Sequence, residues 1–422
     1  MRFLYTIIFY LLLPFILLRL WIKNRNQPAG LQFWYERLGL GLRPAPAGGI
    51  WLHAVSVGES LTAIPLIKAL QQRYPTIPII VTNETIGGAE RIQDGLGDSV
   101  TALYFPYDLP FSLKRFFKKL RPRLLILLET ELWPNLLARC HCHQVPVILI
   151  NGRLSERSAR AYRRILPITQ SMLKSINVLA AQFQADADRF VALGLPKDRV
   201  HVTGNLKFDL TLPAQLSAEA EKLRVNWGKD RLVWIAASTH PGEEALIAEA
   251  FSQVLAYLPN ALLVSVPRHV ERASQLQQLY RSRGFNVIKR SEQRSCTPLT
   301  NVFLGDTMGE LLSFYAAADL AFVGGSLIEK GGQNPLEPAA IGLAILTGPH
   351  TFNFESITEQ LKQRGIEIQV NDAQELAKQV VFLLSNPIKR QQIGLDAKKF
   401  VQENKGTLLK QMQLIEDLID LS

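Results

Sequence analysis

Short apolar runs alternate with amphipathic stretches of helical length along most of the chain, from Gly49 to about residue 346. A short, uniformly apolar run is typical of a strand that is buried on both faces of a sheet. Strands that alternate with helices form right-handed βαβ units around a parallel sheet. The alternation therefore predicts an α/β protein of doubly wound, Rossmann-like architecture.

The apolar runs form two series, with a boundary near residues 205–220. The first series comprises residues 50–55, 77–81, 124–128, 145–150, 177–181 and 199–203, and the second comprises residues 232–237, 261–266, 286–288, 302–304, 320–323 and 344–346. A chain of 422 residues is also long for a single hydrophobic core. We predict two domains, residues 30–210 and 211–422. Ligands of doubly wound sheets bind at the carboxyl ends of the strands, so we expect a ligand cleft between the domains.

The N-terminal residues 3–22 are apolar except for Pro14 and Arg19, and a run of this length can span a bilayer. A cleaved signal peptide is the alternative, but no small-residue cleavage pattern follows the run. The basic residues Lys23 and Arg25 come next, which places the body of the protein in the cytoplasm. We predict a membrane anchor over residues 1–25 that either crosses the bilayer or embeds in it.

Charge and cysteine content limit the possible partners. The net charge of +10 indicates an acidic partner, such as anionic lipid, a phosphorylated substrate or nucleic acid. Basic and aromatic residues interleave over 111–123, as on a solvated helix face or an anionic-lipid surface, but no nucleic-acid recognition motif appears. Three cysteines do not make a disulfide framework. The sequence Cys140-His-Cys-His143 has no second ligand pair, so we interpret it as structural and not as a zinc site.

One stretch, residues 323–338, carries two glycine pairs between an apolar run and a helix start. The first pair, Gly324-Gly325, permits a sharp turn at the end of a strand. Asn334 and Pro335 are typical of an N-cap and a first helical residue. Amide hydrogens at a helix start favour phosphate, and Glu337 suits ribose hydroxyls. The stretch predicts a nucleotide-sugar site, with an ordinary strand-to-helix loop as the alternative.

Acidic residues stand at the ends of two expected strands of the first domain. Glu59 follows Gly58 at a helix start, where it is either a helix-terminal acid or a general base. Glu129 and Glu131 follow the buried run 124–128. Carboxylates there are costly unless they are paired or functional, so we expect one of them to orient a base or bind an acceptor hydroxyl.

Further turns at expected strand ends add positive charge and amide groups. Lys207 can neutralise a carboxylate or phosphate, or pair with Asp209. Arg268 offers a fork for phosphate, and the turn over residues 305–312 offers amides to an anion. The sequence 238–244 predicts a capped helix entry. Because all these turns lie at the carboxyl ends of strands, we expect them to converge on one cleft.

Five of these motifs together resemble the bacterial Kdo transferases, and the resemblance covers essentially the whole chain. The motifs are residues 53–59, 129–135, 204–209, 305–310 and 324–337. The family moves Kdo, an acidic keto-deoxy sugar, from CMP-Kdo to a phosphorylated lipid A precursor, lipid IVA, at the inner membrane. The resemblance implies a GT-B glycosyltransferase that binds the acceptor with its first domain and the nucleotide with its second.

The resemblance also implies roles for single residues. Glu59 matches the catalytic base of the family, and Glu129 and Lys207 match positions that stabilise the transition state. The positions that match nucleotide contacts are Pro267, Arg268, Met308, Gly309, Glu310, Asn334, Pro335, Leu336 and Glu337. The family reaction is a single, inverting displacement.

We expect no cofactor and no bound metal, because a donor with a single phosphate has no diphosphate to chelate. The sequence Asp186-Ala-Asp188 matches the Asp-x-Asp pattern of metal-binding motifs in glycosyltransferases. It lies in a polar, helix-like stretch, and two solvated acids in a first helical turn explain it better.

Two other interpretations stay open. The first is another GT-B nucleotide-sugar transferase or an epimerase, which a measurement of nucleotide specificity would distinguish. The second is a non-catalytic, membrane-anchored lipid-binding protein, which a transfer assay would distinguish. We expect no nucleic-acid partner, because no aromatic stacking platform or recognition motif appears.

Overall fold

The computed structural model describes residues 2–24 and 30–420. They form two units. The first unit runs to Asp209 and includes a C-terminal segment that begins at Gly406, and the second is Leu210–Lys405. Each unit contains a seven-stranded parallel sheet, which confirms the α/β, doubly wound prediction. Arg25, which was used to orient the N-terminal segment, lies outside the described residues.

The first sheet has the strand order β3-β2-β1-β4-β5-β6-β7. Its strands are β1 (Ile50–His53), β2 (Ile79–Asn83), β3 (Thr101–Tyr104), β4 (Leu124–Leu128), β5 (Val147–Gly152), β6 (Val178–Ala181) and β7 (Val200–Val202). The helices are α1 (Arg2–Asn24), α2 (Gly30–Arg37), α3 (Val57–Arg73), α4 (Ile86–Leu96), α5 (Pro110–Leu120), α6 (Pro134–Cys142), α7 (Glu156–Arg164), α8 (Leu166–Lys174) and α9 (Gln184–Ala192), with the last helix of the chain, α18 (Thr407–Asp420).

The second sheet has the order β10-β11-β9-β8-β12-β13-β14. Its strands are β8 (Val233–Thr239), β9 (Leu262–Pro267), β10 (Val287–Lys289), β11 (Val302–Leu304), β12 (Leu320–Val323), β13 (Ile345–Thr347) and β14 (Glu367–Gln369). The helices are α10 (Leu216–Trp227), α11 (Glu243–Tyr257), α12 (Ala273–Ser282), α13 (Leu311–Ala317), α14 (Leu336–Ile341), α15 (Glu355–Gln363), α16 (Ala373–Ser385) and α17 (Pro387–Glu403).

Both faces of each sheet are buried, as the uniformly apolar runs predicted. In β1, Ile50 and Leu52 belong to one hydrophobic cluster and Trp51 belongs to another. In β8, Trp234 and Val233 are divided between two clusters in the same way. Successive side chains of a strand point to opposite faces, so each sheet separates two cores. Cys140 is buried in one of these cores, which agrees with the structural interpretation of the Cys-His sequence.

Two strands, β3 and β14, escaped the sequence analysis, and both lie at an edge of a sheet. Thr101 and Ala102 of β3 are only half-buried, and β14 carries Glu367 and Gln369. An edge strand has one paired neighbour and tolerates polar residues, so it lacks the continuous apolar run of a central strand. The other twelve strands correspond to predicted runs.

The C-terminal helix corrects the predicted second domain, 211–422. The segment after Lys405 belongs to the first unit. Ile415 is fully buried in the cluster that contains Leu66 and Ile67 of α3. The Asp209 carboxylate accepts the backbone N–H groups of the segment at positions 406 and 408, at 2.6 and 2.5 Å. An amphipathic helix can pack on any complementary apolar face, so its sequence did not reveal which unit it covers.

Helix α1 packs along one side of the first unit. Its half-buried residues follow a helical spacing and include Thr6, Phe9 and Ile16. Thr6 hydrogen-bonds to Asn135 of α6, and the Phe9 ring lies 6.2 Å from that of Tyr107. Among the described residues, one helical window, Arg2–Arg19, is long and apolar enough to cross a membrane.

Candidate active site

Each sheet has a topological switch point, where successive connections leave in opposite directions. In the first sheet it lies between β1 and β4, and in the second between β8 and β12. Ligands of doubly wound sheets bind outside the carboxyl ends of the strands at such a point. Glu59 follows β1 and Glu129 follows β4, so the structure brings both predicted carboxylates to the first switch point.

Glu59 forms a capping box with the N-cap residue of α3, Ser56. The Ser56 hydroxyl donates to one oxygen of the Glu59 carboxylate at 2.8 Å and accepts the Glu59 backbone N–H at 3.3 Å. The other carboxylate oxygen accepts the backbone N–H of Val55 at 2.8 Å. These bonds give Glu59 the helix-terminal role that the sequence left open. They also hold its carboxylate in one orientation.

Four carboxylates, those of Glu59, Glu84, Glu129 and Glu131, influence one another at this edge of the sheet. Burial and the charge of Glu129 raise the pKa of Glu59 to about 6. Burial and the charges of Glu59 and Glu84 raise the pKa of Glu131 to about 8, although the Trp133 indole donates to Glu131 at 2.9 Å. At neutral pH Glu59 is therefore mainly ionised and Glu131 mainly protonated. A carboxylate with a pKa near neutrality is suited to accept a proton in catalysis.

Glu129 has a left-handed backbone conformation, with φ +59°. Its backbone N–H donates to the carbonyl of Ile150 at 2.9 Å. A residue other than glycine in this region costs roughly 1–3 kcal/mol, and such strain is concentrated at functional sites. Asn151 at the end of β5 and Ser238 at the end of β8 share this conformation, at φ +52° and +55°. The sequence contains no signal for this strain, because glycine is the usual marker of a positive φ.

Lys207 lies on a short 3-10 turn, Leu206–Phe208, that buried amide side chains fix to the ends of β5 and β6. The Asn151 carboxamide oxygen accepts the backbone N–H of Leu206 at 3.0 Å. Asn205 donates to Gln182 at 2.9 Å and accepts the Lys207 backbone N–H at 3.0 Å. These three positioning residues were not predicted from the sequence. Asp209, the alternative partner of Lys207, uses its carboxylate to hold the C-terminal segment.

In the second unit, the glycine turn after β12 does not present its amides to a ligand. The carboxylate of Glu243 is fully buried and accepts the backbone N–H groups of Gly325, Ser326 and Leu327 at 2.7, 3.0 and 3.0 Å. The amides of this turn therefore bind an internal carboxylate, whereas the phosphate site was predicted at the helix start after Asn334. The sequence 238–244 shows only a helix entry, so it gave no sign of this contact over more than eighty residues.

The glycines of this stretch serve close packing. A Cβ on Gly324 would lie 2.8 Å from the carbonyl oxygens of Ala237 and Ser238. A Cβ on Gly331, which has φ +89°, would lie 2.5 Å from the Phe352 ring. Both distances are too short for a side chain, so the glycines are required by the fold itself.

The predicted nucleotide contacts in this stretch are linked to one another. The Asn334 side chain accepts the Leu336 backbone N–H at 3.1 Å and donates to Glu337 at 3.2 Å. Helix α14 begins at Leu336, one residue after the predicted first helical residue, Pro335. Burial raises the pKa of Glu337, and the Asn334 hydrogen bond and the charge of Arg268 lower it in part. Arg268 follows Pro267, the last residue of β9, and is exposed.

The turn with Met308, Gly309 and Glu310 is built differently. Met308 is exposed, and Gly309 has φ +83°. Glu310 is already paired, because the Arg290 guanidinium binds it at 2.8 and 3.1 Å and the Thr307 hydroxyl donates to it. Burial alone would raise the pKa of Glu310, but these bonds lower it. Glu310 therefore holds the turn together, while Met308 and Gly309 face solvent.

Several basic side chains lie near His240 at the carboxyl edge of the second sheet. Burial, followed by the charges of His269, Lys330 and Arg268, lowers the pKa of His240. His240 contacts the Gln333 side chain at 3.1 Å, next to the glycine-rich stretch. The cations Lys330 and Arg268 at this edge attract a phosphate, and His240 next to them is held neutral. The sequence analysis identified Arg268 but not His240.

The Asp186 and Asp188 side chains make separate contacts. Asp186 is 5% exposed and accepts the Leu154 backbone N–H at 2.8 Å. Asp188 is exposed and accepts from Gln184 at 2.8 Å. The description of both as solvated acids was therefore wrong for Asp186, which positions the chain after β5.

Two doubly wound units, each with polar groups at its switch point, form the GT-B fold of glycosyltransferases. Residues 282–400 match the model of glycosyl transferases group 1. The chain has the fold of Anabaena Alr3699/HepE in complex with UDP, with a TM-score of 0.54 and 16% identity over 88% of this chain and 99% of that one. It also has the fold of UDP-GlcNAc 2-epimerase from Neisseria meningitidis, with a TM-score of 0.54 and 15% identity. That match covers 86% of this chain and 100% of the epimerase chain.

Within that class, the chain belongs to the 3-deoxy-D-manno-octulosonic acid (Kdo) transferases of lipopolysaccharide biosynthesis. Residues 32–210 match the 3-deoxy-D-manno-octulosonic-acid transferase model. The chain is 40% identical to the Haemophilus influenzae transferase over 99% of both chains. It is 34% identical to the Bordetella pertussis transferase over 95% of this chain and 96% of that one. The family resemblance drawn from the five sequence motifs is confirmed.

Proposed function

We propose that this Kdo transferase moves Kdo from CMP-Kdo to lipid IVA, a phosphorylated lipid A precursor, with inversion at the anomeric carbon. The observation that carries this proposal is Glu59, whose carboxylate is oriented by the capping box and has a pKa of about 6. The proposed location is the inner membrane, with α1 as the anchor and the body in the cytoplasm. The exposed apolar residues of α1 support this location.

In the proposed reaction, the Glu59 carboxylate takes the proton of an acceptor hydroxyl, and the hydroxyl oxygen attacks the anomeric carbon. The bond from that carbon to the phosphate oxygen breaks, and CMP leaves with its electron pair. A carboxylate has about four lone-pair sites, so the hydrogen bonds from Val55 and Ser56 leave Glu59 a lone pair for the proton. Glu129 and Lys207 are proposed to stabilise the charges of the transition state.

The second unit is proposed to bind the nucleotide. Arg268 and the neighbouring cations suit the single phosphate of CMP, and Glu337, held by Asn334, suits ribose hydroxyls. Pro267, Met308, Gly309, Pro335 and Leu336 complete the proposed contacts, with Glu310 supporting them through Arg290. The cations next to His240 are proposed to act on the phosphate together with the helix start after Asn334 and the turn over residues 305–312.

We propose that transfer needs neither a cofactor nor a bound divalent metal. The described residues contain no group of three or more His, Cys, Asp or Glu side chains placed to hold a metal ion. The test uses purified enzyme with preformed donor, with and without excess chelator. Activity that vanishes with chelator and returns with magnesium would contradict this part of the proposal.

The transfer itself is tested by incubating the full chain with CMP-Kdo and lipid IVA and recording a mass spectrum of the lipid. We expect the lipid mass to rise by whole Kdo residues and CMP to be released. Other nucleotide sugars should give no product. An unchanged lipid mass with an altered donor sugar would indicate an epimerase. An unchanged lipid and an intact donor would indicate a non-catalytic lipid-binding protein.

A further inference from the structure

A cavity of about 340 Å³ lies in the first unit between α1 and the loops at the carboxyl edge of the sheet. Phe9 and Ile16 of α1 contribute to its lining, together with Phe105, Tyr107 and Trp133. The volume is that of a small-molecule site, which is roughly 300–1,000 Å³. The reaction proposed above does not account for this cavity.

Polar contacts hold α1 in a defined position over the cavity. The Thr6 hydroxyl accepts from the Asn135 side chain at 3.0 Å, and the Tyr5 hydroxyl bonds to the Asp108 carboxylate. Asp108 in turn accepts the backbone N–H groups of Asn135 and Leu136 at 2.9 and 2.7 Å, which caps α6. A helix that served only as a membrane anchor would not need these hydrogen bonds to the body of the protein. They make α1 a wall of the cavity.

Arginine side chains accompany the apolar lining. Arg19 of α1 and Arg37 of α2 both contribute to the cavity, together with two carboxylates that already have partners: Glu84 binds Arg37, and Asp108 caps α6. Arg37 is 3.4 Å from the Glu84 carboxylate and lies 4.5 Å from the centre of the Tyr107 ring, whereas Arg19 is exposed. An apolar space next to guanidinium groups suits an amphiphile with a hydrocarbon part and an anionic part.

The cavity is joined to the carboxylates at the first switch point. The Phe105 ring stacks on His53, the last residue of β1, with centroids 3.8 Å apart. Trp133 donates a hydrogen bond to Glu131 at 2.9 Å. Glu84 belongs both to the lining and to the group of carboxylates. A molecule whose hydrocarbon filled the cavity would therefore have its polar end beside the proposed base.

The outer face of α1 is apolar and exposed. Phe3, Leu11 and Phe15 are each more than two-thirds exposed. Exposed apolar surface of this extent marks a membrane or partner surface. The same helix thus presents one face that suits lipid and another that lines the cavity.

We propose that the cavity beneath α1 binds one fatty acyl chain of the anionic lipid acceptor, with the exposed Arg19 at the charged head group and Arg37 holding Glu84 in the lining. Helix α1 is then part of the acceptor site in addition to being an anchor. This inference rests on the proposed function for the identity of the acceptor. The binding of an acyl chain by the cavity can be measured separately from transfer.

The first experiment fills the cavity from α1 with Ile16→Trp and measures transfer to lipid IVA and to its deacylated form. For the parent enzyme we expect a lower KM for the acylated acceptor. Ile16→Trp should raise the KM for lipid IVA, relative to the KM for the deacylated acceptor, by about tenfold. This is the effect expected when roughly two methylene groups are excluded from an apolar site. The matched control is Ile8→Trp, on the exposed face of the same helix, which should keep the parent ratio.

Two results would overturn the inference. One is a parent enzyme with equal KM values for the two acceptors. The other is an Ile16→Trp variant whose KM ratio equals that of the parent. If Ile16→Trp impairs folding, the smaller change Ile16→Phe is measured in its place, with the melting temperature as the check.

A second experiment does not depend on transfer. The full chain is incubated with vesicles that contain a phosphatidic acid with a photoreactive diazirine in its acyl chain, and cross-linked peptides are mapped by mass spectrometry. We expect cross-links at Phe9, Ile16 and Phe105. Cross-links confined to the outer face of α1 would overturn the inference. Cross-links in the cavity of a protein that transfers no Kdo would retain the acyl site and reject the proposed function.

Discussion

The two units place a glutamate at an equivalent position and use it in opposite ways. Glu59 lies in the first turn of α3, after the first strand of its sheet, and Glu243 lies in the first turn of α11, after the first strand of the other. Glu59 accepts one backbone N–H and one hydroxyl. Glu243 accepts three backbone N–H groups within 3.0 Å and is fully buried. Position in the fold therefore does not define the role, whereas the number of donors around the carboxylate does.

This difference has a physical consequence for reactivity. The oxygens of Glu243 are consumed by the turn after β12, so this carboxylate holds two loops of the second unit together. Burial and the charge of Glu129 raise the pKa of Glu59, and its carboxylate keeps a lone pair for a proton. The comparison predicts a catalytic defect for changes at Glu59 and a stability defect for changes at Glu243.

The largest expected effect is that of Glu59→Gln on transfer. Glutamine can form the same capping box but is a poor proton acceptor, so the helix should be retained and the base lost. We expect the rate to fall by about two to four orders of magnitude, with nucleotide binding by calorimetry and the melting temperature near parent values. Ser155→Ala is the control, because it removes the N-cap of α7 at a cost of about 1 kcal/mol in stability and leaves Glu59 and its capping box unchanged. Near-normal turnover of Glu59→Gln would reduce Glu59 to a helix-terminal acid.

The next effect is that of Glu243→Gln on stability. An amide has one acceptor oxygen and a donor group that would point at backbone N–H groups, so at least one buried donor loses its partner. We expect the free energy of unfolding of the second unit to fall by about 2–4 kcal/mol, measured by denaturant titration. The comparison would fail if this variant kept parent stability but lost transfer, since Glu243 would then act in the reaction.

The pH dependence of transfer should reflect Glu59. Its pKa is raised to about 6, and the base must be deprotonated to act. The rate should therefore be maximal above pH 6 and fall about tenfold per pH unit well below it. The fall in rate at acid pH is measured as kcat/KM against pH, with donor binding checked at each pH value. A rate that stays constant down to pH 5 would exclude Glu59 as the titrating base.

The smallest effect concerns Glu131. Its pKa is raised from 4.5 to about 8, so the folded protein holds this proton more tightly than the unfolded chain. Stability from this group is present below pH 4.5 and is lost as the pH rises through about 8. Glu131→Gln should therefore stabilise the protein by about 1 kcal/mol above pH 8, allowing for partial solvent exposure, and have little effect at pH 5. Thermal melting at both pH values measures the difference, and equal shifts would contradict it.

The sequence by itself determined the α/β class, the division into two sheets and twelve of the strands, because a strand buried on both faces needs a continuous apolar run. The resemblance carried by five motifs identified the family and pointed to Glu59 and Arg268. Local spacing also revealed the start of α14 to within one residue, since Asn-Pro is a local signal.

Only the tertiary structure decided which strand-end groups are free to react. Glu243 reaches the turn after Gly324 from more than eighty residues away, and the amides of Asn151, Gln182 and Asn205 meet only when β5 and β6 pair with their neighbours. The cavity beneath α1 likewise exists only because that helix packs on the first unit. Hydrogen bonds and packing between distant segments depend on where the folded chain places them, and neither periodicity nor local spacing contains that information.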